Sequence, residues 1–245
     1  SLGNSVDYGD LSQGRATPAS SSNQSRIVVA GGTNPGVVNT IDFFNPVSMG
    51  TATDFGDLTQ ARGSLNATSQ SHGGIAAESQ RAPELYSPTG RPLRFEGSGV
   101  GDLSVEVGGE GASAVALIGF NLISTAGNEQ LFGDLTNGAR YDTNGCAGNT
   151  RMFTWSGTLD GTGGVNSIDY LTFSHKGNTS DFGDATETRQ VAGCLANSTR
   201  ALGAGGGTPS NSNVIDFITI ATIGNASDFG DLTAARKGPG GLAST

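Results

Sequence analysis

Carboxylates three residues apart recur along this chain: Asp7 and Asp10, Asp54 and Asp57, Asp181 and Asp184, Asp228 and Asp231. Such pairs could act as acid and base or hold Ca²⁺. Phe or Tyr followed by Gly separates the members of each pair, so three of them begin Asp-Phe-Gly, the wording with which a kinase holds Mg²⁺. A kinase also needs a glycine loop, a strand lysine and a catalytic-loop aspartate, and none of these is present. The glycine-rich stretches 108–111 and 203–207 lack the Lys-Ser/Thr of a phosphate loop and read as turns. His72 and His175 are the two histidines, and neither lies in a two-histidine helical motif or beside a cysteine pair. A catalytic or metal site needs one asymmetric constellation, whereas these carboxylates repeat. No catalytic residue, metal or cofactor is therefore expected.

The repetition is itself the main signal. A phrase centred on Gly-Asp stands at Gly9-Asp10, Gly56-Asp57, Gly101-Asp102, Gly133-Asp134, Gly183-Asp184 and Gly230-Asp231, at intervals of 47, 45, 32, 50 and 47 residues. Periods in this range mark arrays of supersecondary units that cannot bury their apolar faces alone. Arg15, Arg62, Arg140, Arg189 and Arg236 follow the phrases, and guanidinium suits bidentate pairing with carboxylate. The expectation is a ring of Asp–Arg pairs, Asp57 with Arg62 or a cross-blade equivalent, locking blade to blade. The glycines would allow a backbone conformation or a close approach, and the Phe or Tyr before them would pack between units.

Between phrases, each module holds short β-prone segments such as 27–30, 41–43 and 215–217, bounded by Gly, Asn, Pro and Ser. Sustained helical periodicity is absent. Four short antiparallel strands every 45 to 50 residues describe a β-propeller blade. The predicted fold is all-β, a single repeat domain over 1–245 of about five blades: 16–58, 63–103, 104–135, 141–185 and 190–232. The third is shortened, and Gly119 stands where other copies carry Asp. Terminal strands 1–11 and 233–245 are expected to complete a mixed blade, to continue a longer array or to pair with a neighbouring chain.

The net charge of −9 arises largely in repeat slots, and the remaining Arg and Lys form no basic stripe, so nucleic acid is not an expected partner. No apolar run approaches the roughly 18 residues of a membrane helix, so a membrane is not expected either. Cys146 and Cys194 occupy similar places in successive units, where they could face each other or stand as small buried thiols.

The apolar run and double glycine of 27–32, Ile41-Asp42-Phe43-Phe44-Asn45-Pro46, Phe55 and Leu58-Thr59-Gln60-Ala61-Arg62 follow the order of a Kelch repeat, and the chain resembles that family. Phe stands where Kelch repeats usually carry Trp, and Glu78-Ser79 and Ser156-Gly157 replace the double glycine. Copper-radical oxidases share the Kelch-like fold, but their Tyr/His/Cys cluster is not matched. The wording Ile-Asp-Phe/Tyr, Gly-Asn-Ala/Thr-Ser/Thr and Asp-Phe-Gly-Asp-Leu-Thr, best seen in 215–236, is similar to repeats in structural proteins of marine and freshwater bacteriophages, including cyanophages. That resemblance implies a non-enzymatic module of a virion, as a tail, fibre or capsid appendage, contacting other virion proteins, copies of itself or host-surface glycans. One alternative is an extracellular or cell-surface carbohydrate-binding propeller, with Tyr86 and Trp155 as candidate ligand residues. Another is a glycan depolymerase using Glu78, Glu84, Glu96, Asp142 or Asp160.

Overall fold

A computed structural model describes residues 5–23, 25–69, 102–148, 150–160, 163–207 and 209–240. Among them the regular elements are all strands. The first sheet contains β1 (Ala19–Ser22) and β2 (Ile27–Ala30). A small hairpin of β3 (Thr33–Asn34) and β4 (Gly36–Val37) leads to β5 (Thr40–Phe44) and β6 (Thr53–Asp57), which complete it. The second is built from β7 (Asn66–Ser69), β8 (Leu103–Val107), β9 (Leu117–Leu122) and β10 (Gln130–Asp134). In the third, β11 (Arg140–Tyr141) and β12 (Asn144–Ala147) both pair with the long β13 (Arg151–Leu159), which continues to β14 (Gly163–Thr172) and β15 (Ser180–Arg189). The fourth comprises β16 (Gly193–Ala196), β17 (Arg200–Ala204), β18 (Val214–Thr219) and β19 (Ser227–Asp231). Every pairing is antiparallel, and all but β2–β5 and β11–β13 join strands consecutive in the chain, the pattern that short Gly, Asn and Ser turns permit.

Among the described residues the units are thus four antiparallel sheets, three of four strands and one of five, rather than five blades. The stretches expected as separate blades, 63–103 and 104–135, belong to one sheet, whose first two strands flank the long segment 70–102. Val100-Gly101-Asp102-Leu103 imitates the phrase in sequence, but Leu103 opens a second strand: Leu103–Val107 followed by Gly108-Gly109 corresponds to Ile27–Ala30 followed by Gly31-Gly32. Residues 70–101, most of the blade expected at 63–103, lie outside the described residues, as do the ends 1–4 and 241–245.

No sheet has a core of its own. Val28, Ile41, Phe55 and Leu58 of the first sheet pack with Leu65 and Ile123 of the second. Leu103, Val105, Val107, Ile118 and Phe132 of the second pack with Met152, Leu171 and Phe173 of the third. Phe153, Trp155, Ile168 and Phe182 of the third pack with Ala201, Ile218 and Ile220 of the fourth. Strand alternation sends side chains to both neighbours, so all five residues of β8 are buried. The first strands β1, β7, β12 and β16 lie next to one another in that order.

Candidate functional site

The repeated phrase forms a clamp between each sheet and the next. In all four sheets a register shift between the third and fourth strands leaves the phrase Phe as the extra residue: Asp42 opposes Asp54 and Ile41 opposes Gly56, with Phe55 unpaired, and Phe132, Phe182 and Phe229 stand likewise. Such a bulge re-aims a side chain. Phe55, Phe132 and Phe182 turn into the cores between sheets.

The glycine after the Phe approaches a turn of the following sheet. A Cβ at Gly56 would lie 2.5 Å from the Gly127 carbonyl oxygen, and one at Gly183 would lie 2.5 Å from that of Gly224. Gly133 meets Gly177 in the same way, and Gly9 meets Gly50. Backbone bonds then stitch the boundary. Glu129 N–H donates to Asp57 O at 2.8 Å, Thr179 N–H to Asp134 O at 3.0 Å, Ala226 N–H to Asp184 O at 2.8 Å and Ala52 N–H to Asp10 O at 2.8 Å. Asn128, Asn178 and Asn225 each accept the N–H of the phrase Asp on a side-chain oxygen.

Arginine locks the far end of the clamp. Arg15 donates to Asp42 at 3.0 Å, Arg62 to Glu129 at 2.5 Å and Arg189 to Asp216, while Arg140 forms an ion pair with Asp169, all eight side chains being fully buried. Burial pulls the Arg140 guanidinium down to about 10 and also lowers Arg15. The carboxylates are bonded further by hydroxyl residues of the phrase. Ser12 donates its N–H and Oγ–H to Asp42 Oδ2 at 3.1 and 2.8 Å, and Thr59 donates both to Glu129 Oε2 at 2.7 and 2.6 Å. Arg62 and Arg236 also cap the double glycine of their own sheets, their carbonyls accepting from Gly32 and Gly206 at 2.9 Å. Each of these arginines is anchored by its backbone to one sheet, and Arg62 grips the next with its side chain.

The partners differ from the expected Asp57–Arg62 type. Phrase aspartates face outward: Asp7 and Asp228 accept the N–H of Gly9 and Gly230 through their side chains. Three of the four buried carboxylates, Asp42, Asp169 and Asp216, come from the Ile-Asp-Phe/Tyr slot on the third strand, next to the bulge. In the second sheet Gly119 fills the slot, and a Cβ there would strike the Glu129 carboxyl, which has moved in from the neighbouring strand's approach.

A separate buried polar network centres on Glu106. Ser21 and Ser104 share a hydrogen bond at 2.6 Å, Ser104 donates to Glu106 Oε1, and Asn121 reaches Glu106 Oε2 at 3.5 Å. Burial, reinforced by the nearby Glu129, raises the Glu106 carboxyl to about 7.

A second set of arginines lies over the third-strand aromatics: Arg26 over Phe43 at 4.6 Å, Arg151 over Tyr170 at 4.8 Å and Arg200 over Phe217 at 4.8 Å. Arg26 and Arg151 also donate to carbonyls of the following sheet, those of Ile123 and Ile220. Each follows an arginine of the first set by 11 residues, Arg15 to Arg26, Arg140 to Arg151 and Arg189 to Arg200, the one trace they leave in the sequence.

The remaining candidates are dispersed. Trp155 is 1% exposed, with its ring against Gly203 between the third and fourth sheets, which closes it to a ligand. Tyr86, Gly101, Glu78, Glu84 and Glu96 lie outside the described residues. Asp102 accepts from Ser124 and Asn23, holding a turn rather than a phrase. Asp160 accepts the Ala114 N–H at 2.7 Å. Cys146 and Cys194 do face each other, with sulfurs 2.6 Å apart. Among the described residues no group of three or more His, Cys, Asp or Glu could hold a metal ion. A groove of about 510 Å³ between Pro35, Val37, Ser64 and Glu110 offers a single ionisable side chain. No family model matches the chain, and no curated protein matches it significantly.

Proposed function

We propose that the chain is a non-enzymatic structural module of a bacteriophage virion, with its four sheets acting as the blades of a Kelch-like propeller array. The observation that supports a structural role is the inter-sheet clamp: the repeated arginines are buried against Asp42, Glu129, Asp169 and Asp216, while the phrase aspartates face outward beside backbone bonds that join one sheet to the next. The side-by-side first strands support the blade reading, since propeller blades present their first strands to a common axis. Virion placement rests on the resemblance of the Asp-Phe-Gly-Asp-Leu-Thr wording to phage structural repeats.

Imaging the native assembly that contains the chain, together with mass spectrometry of the purified particles, tests this reading. The expected result is a stoichiometric component of a tail, fibre or capsid appendage. A chain found free in solution and in no particle or filament overturns it.

A further inference from the structure

The clamp closes three boundaries between sheets and closes once more where residues 5–15 lie on the first sheet. On the outer side of the fourth sheet, its donor half is present without an acceptor among the described residues. Phe229 is 53% exposed where Phe55 is 3%. Gly230 faces open space where Gly56 and Gly183 meet a neighbouring turn. Leu202 and Ile215 are half-buried where their counterparts Val28 and Ile41 are buried. The Arg236 carbonyl is held by Gly206 as Arg62's is held by Gly32, yet among the described residues its exposed guanidinium reaches only the carbonyl of Ala234.

The matching acceptor exists in the same chain. The first sheet receives Asp7-Tyr8-Gly9-Asp10-Leu11-Ser12-Gln13-Gly14-Arg15, with Tyr8 against Phe44, Gly9 against Gly50, Ser12 and Arg15 on Asp42. Residues 228–236 read Asp-Phe-Gly-Asp-Leu-Thr-Ala-Ala-Arg, with an aromatic, Gly, Asp, Leu, hydroxyl and Arg at identical spacing. A surface shaped and charged for one segment fits the other.

We propose that the chain binds a second copy of itself head to tail, residues 228–236 of one copy docking on the first sheet of the next in exchange for that copy's residues 5–15. Arg236 takes the place of Arg15 on the buried Asp42 carboxylate, and Phe229 takes the place of Tyr8. The contact is heterologous, so successive copies add in one direction, closing into a ring or extending as a filament according to the rotation between them. The inference rests on the structural-module reading and names its partner.

Sedimentation velocity of the full chain across a wide concentration series tests it. Wild type is expected to form species larger than a monomer whose share grows with concentration. Arg236→Glu, at a position that faces solvent in the single chain, should leave the melting temperature unchanged and weaken association about tenfold or more, because a carboxylate would then oppose Asp42. Tyr8→Ala, which loosens the resident segment, should strengthen association. A monomer at every concentration, or undiminished association of the Arg236→Glu variant, overturns the proposal. These outcomes concern the purified chain, so they leave the virion reading standing, while absence from any particle would overturn that reading without touching this one.

Discussion

Arg62, whose backbone belongs to the loop leaving the first sheet, donates to Glu129 of the second at 2.5 Å with both side chains fully buried. Its three counterparts reach an Asp on the third strand, whereas Glu129 stands before the fourth and extends over Gly119. The charge pair is kept although its carboxylate comes from a different place in the chain.

Removing one partner of this pair should be costly and partly reversible. Glu129→Ala leaves a buried guanidinium uncompensated, with an expected loss of about 3–5 kcal/mol. Gly119→Asp alone places a second carboxylate against Glu129 and should also destabilise. The double variant Gly119→Asp/Glu129→Ala restores the arrangement of the other sheets and should recover part of the loss. Urea unfolding of the four proteins checks this, and simple additivity of the two single effects would show that the residues do not share a site.

The same exchange explains what the sequence hid. Strands of the first, third and fourth sheets were legible from β-branched and aromatic runs between Gly and Asn turns, as at Ile27–Ala30 and Val214–Thr219. The second sheet was cut in two because Gly101-Asp102-Leu103 mimics the phrase and Gly119 lacks the marker Asp. Side-chain replacement across strands leaves no trace in spacing. For a similar reason the arginines were recognisable as carboxylate binders while their partners were not: neighbouring charges along the chain suggested Asp57, and only the folded pairing of strands brings the third-strand Asp to the arginine of the preceding unit.

Glu106 gives the fold a pH dependence of definite sign. Its carboxyl rises from 4.5 to about 7, so the folded state holds this proton more tightly than the unfolded chain does. The associated stability is complete below about 4.5 and is lost as pH rises through 7, a change on the order of 3 kcal/mol. Glu106→Gln keeps the Ser104 and Asn121 contacts without a charge. Its stability should vary less than wild type between pH 5 and 8, which thermal melts across that range would show, whereas parallel pH profiles would exclude Glu106 as the source.

Cys146 on β12 and Cys194 on β16 should close into a disulfide under oxidising conditions. Burial pushes the Cys146 thiol up, and half-buried Cys194 is the more accessible of the two sulfurs. Oxidised glutathione would take the electron pair and leave as two glutathione thiols, joining the third and fourth sheets across a separation of 48 residues. The chain-entropy relation gives a stabilisation of about 4 kcal/mol for such a loop. Mass spectrometry should show the loss of two hydrogens and the melting temperature should rise, with Cys194→Ser showing neither. A chain that retains both free thiols after this treatment refutes the pairing.

Gly56 and Gly230 separate two reasons for glycine in the phrase. Their φ angles are alike, +150° and +140°, so alanine at either position meets the same backbone penalty, about 1–3 kcal/mol. Only at Gly56 would the added methyl meet the Gly127 carbonyl, at 2.5 Å, while Gly230 has nothing within 4 Å among the described residues. Overpacking of this kind costs a further 1–3 kcal/mol, roughly. Gly56→Ala should therefore destabilise the dilute monomer more than Gly230→Ala does. At concentrations where copies associate, Gly230→Ala should weaken that association because its methyl would then meet the Gly50 carbonyl of the next first sheet. Equal melting temperatures for the two dilute variants would mean that backbone conformation alone accounts for the conserved wording of the repeats within this chain, and that close approach between sheets contributes little to the clamp.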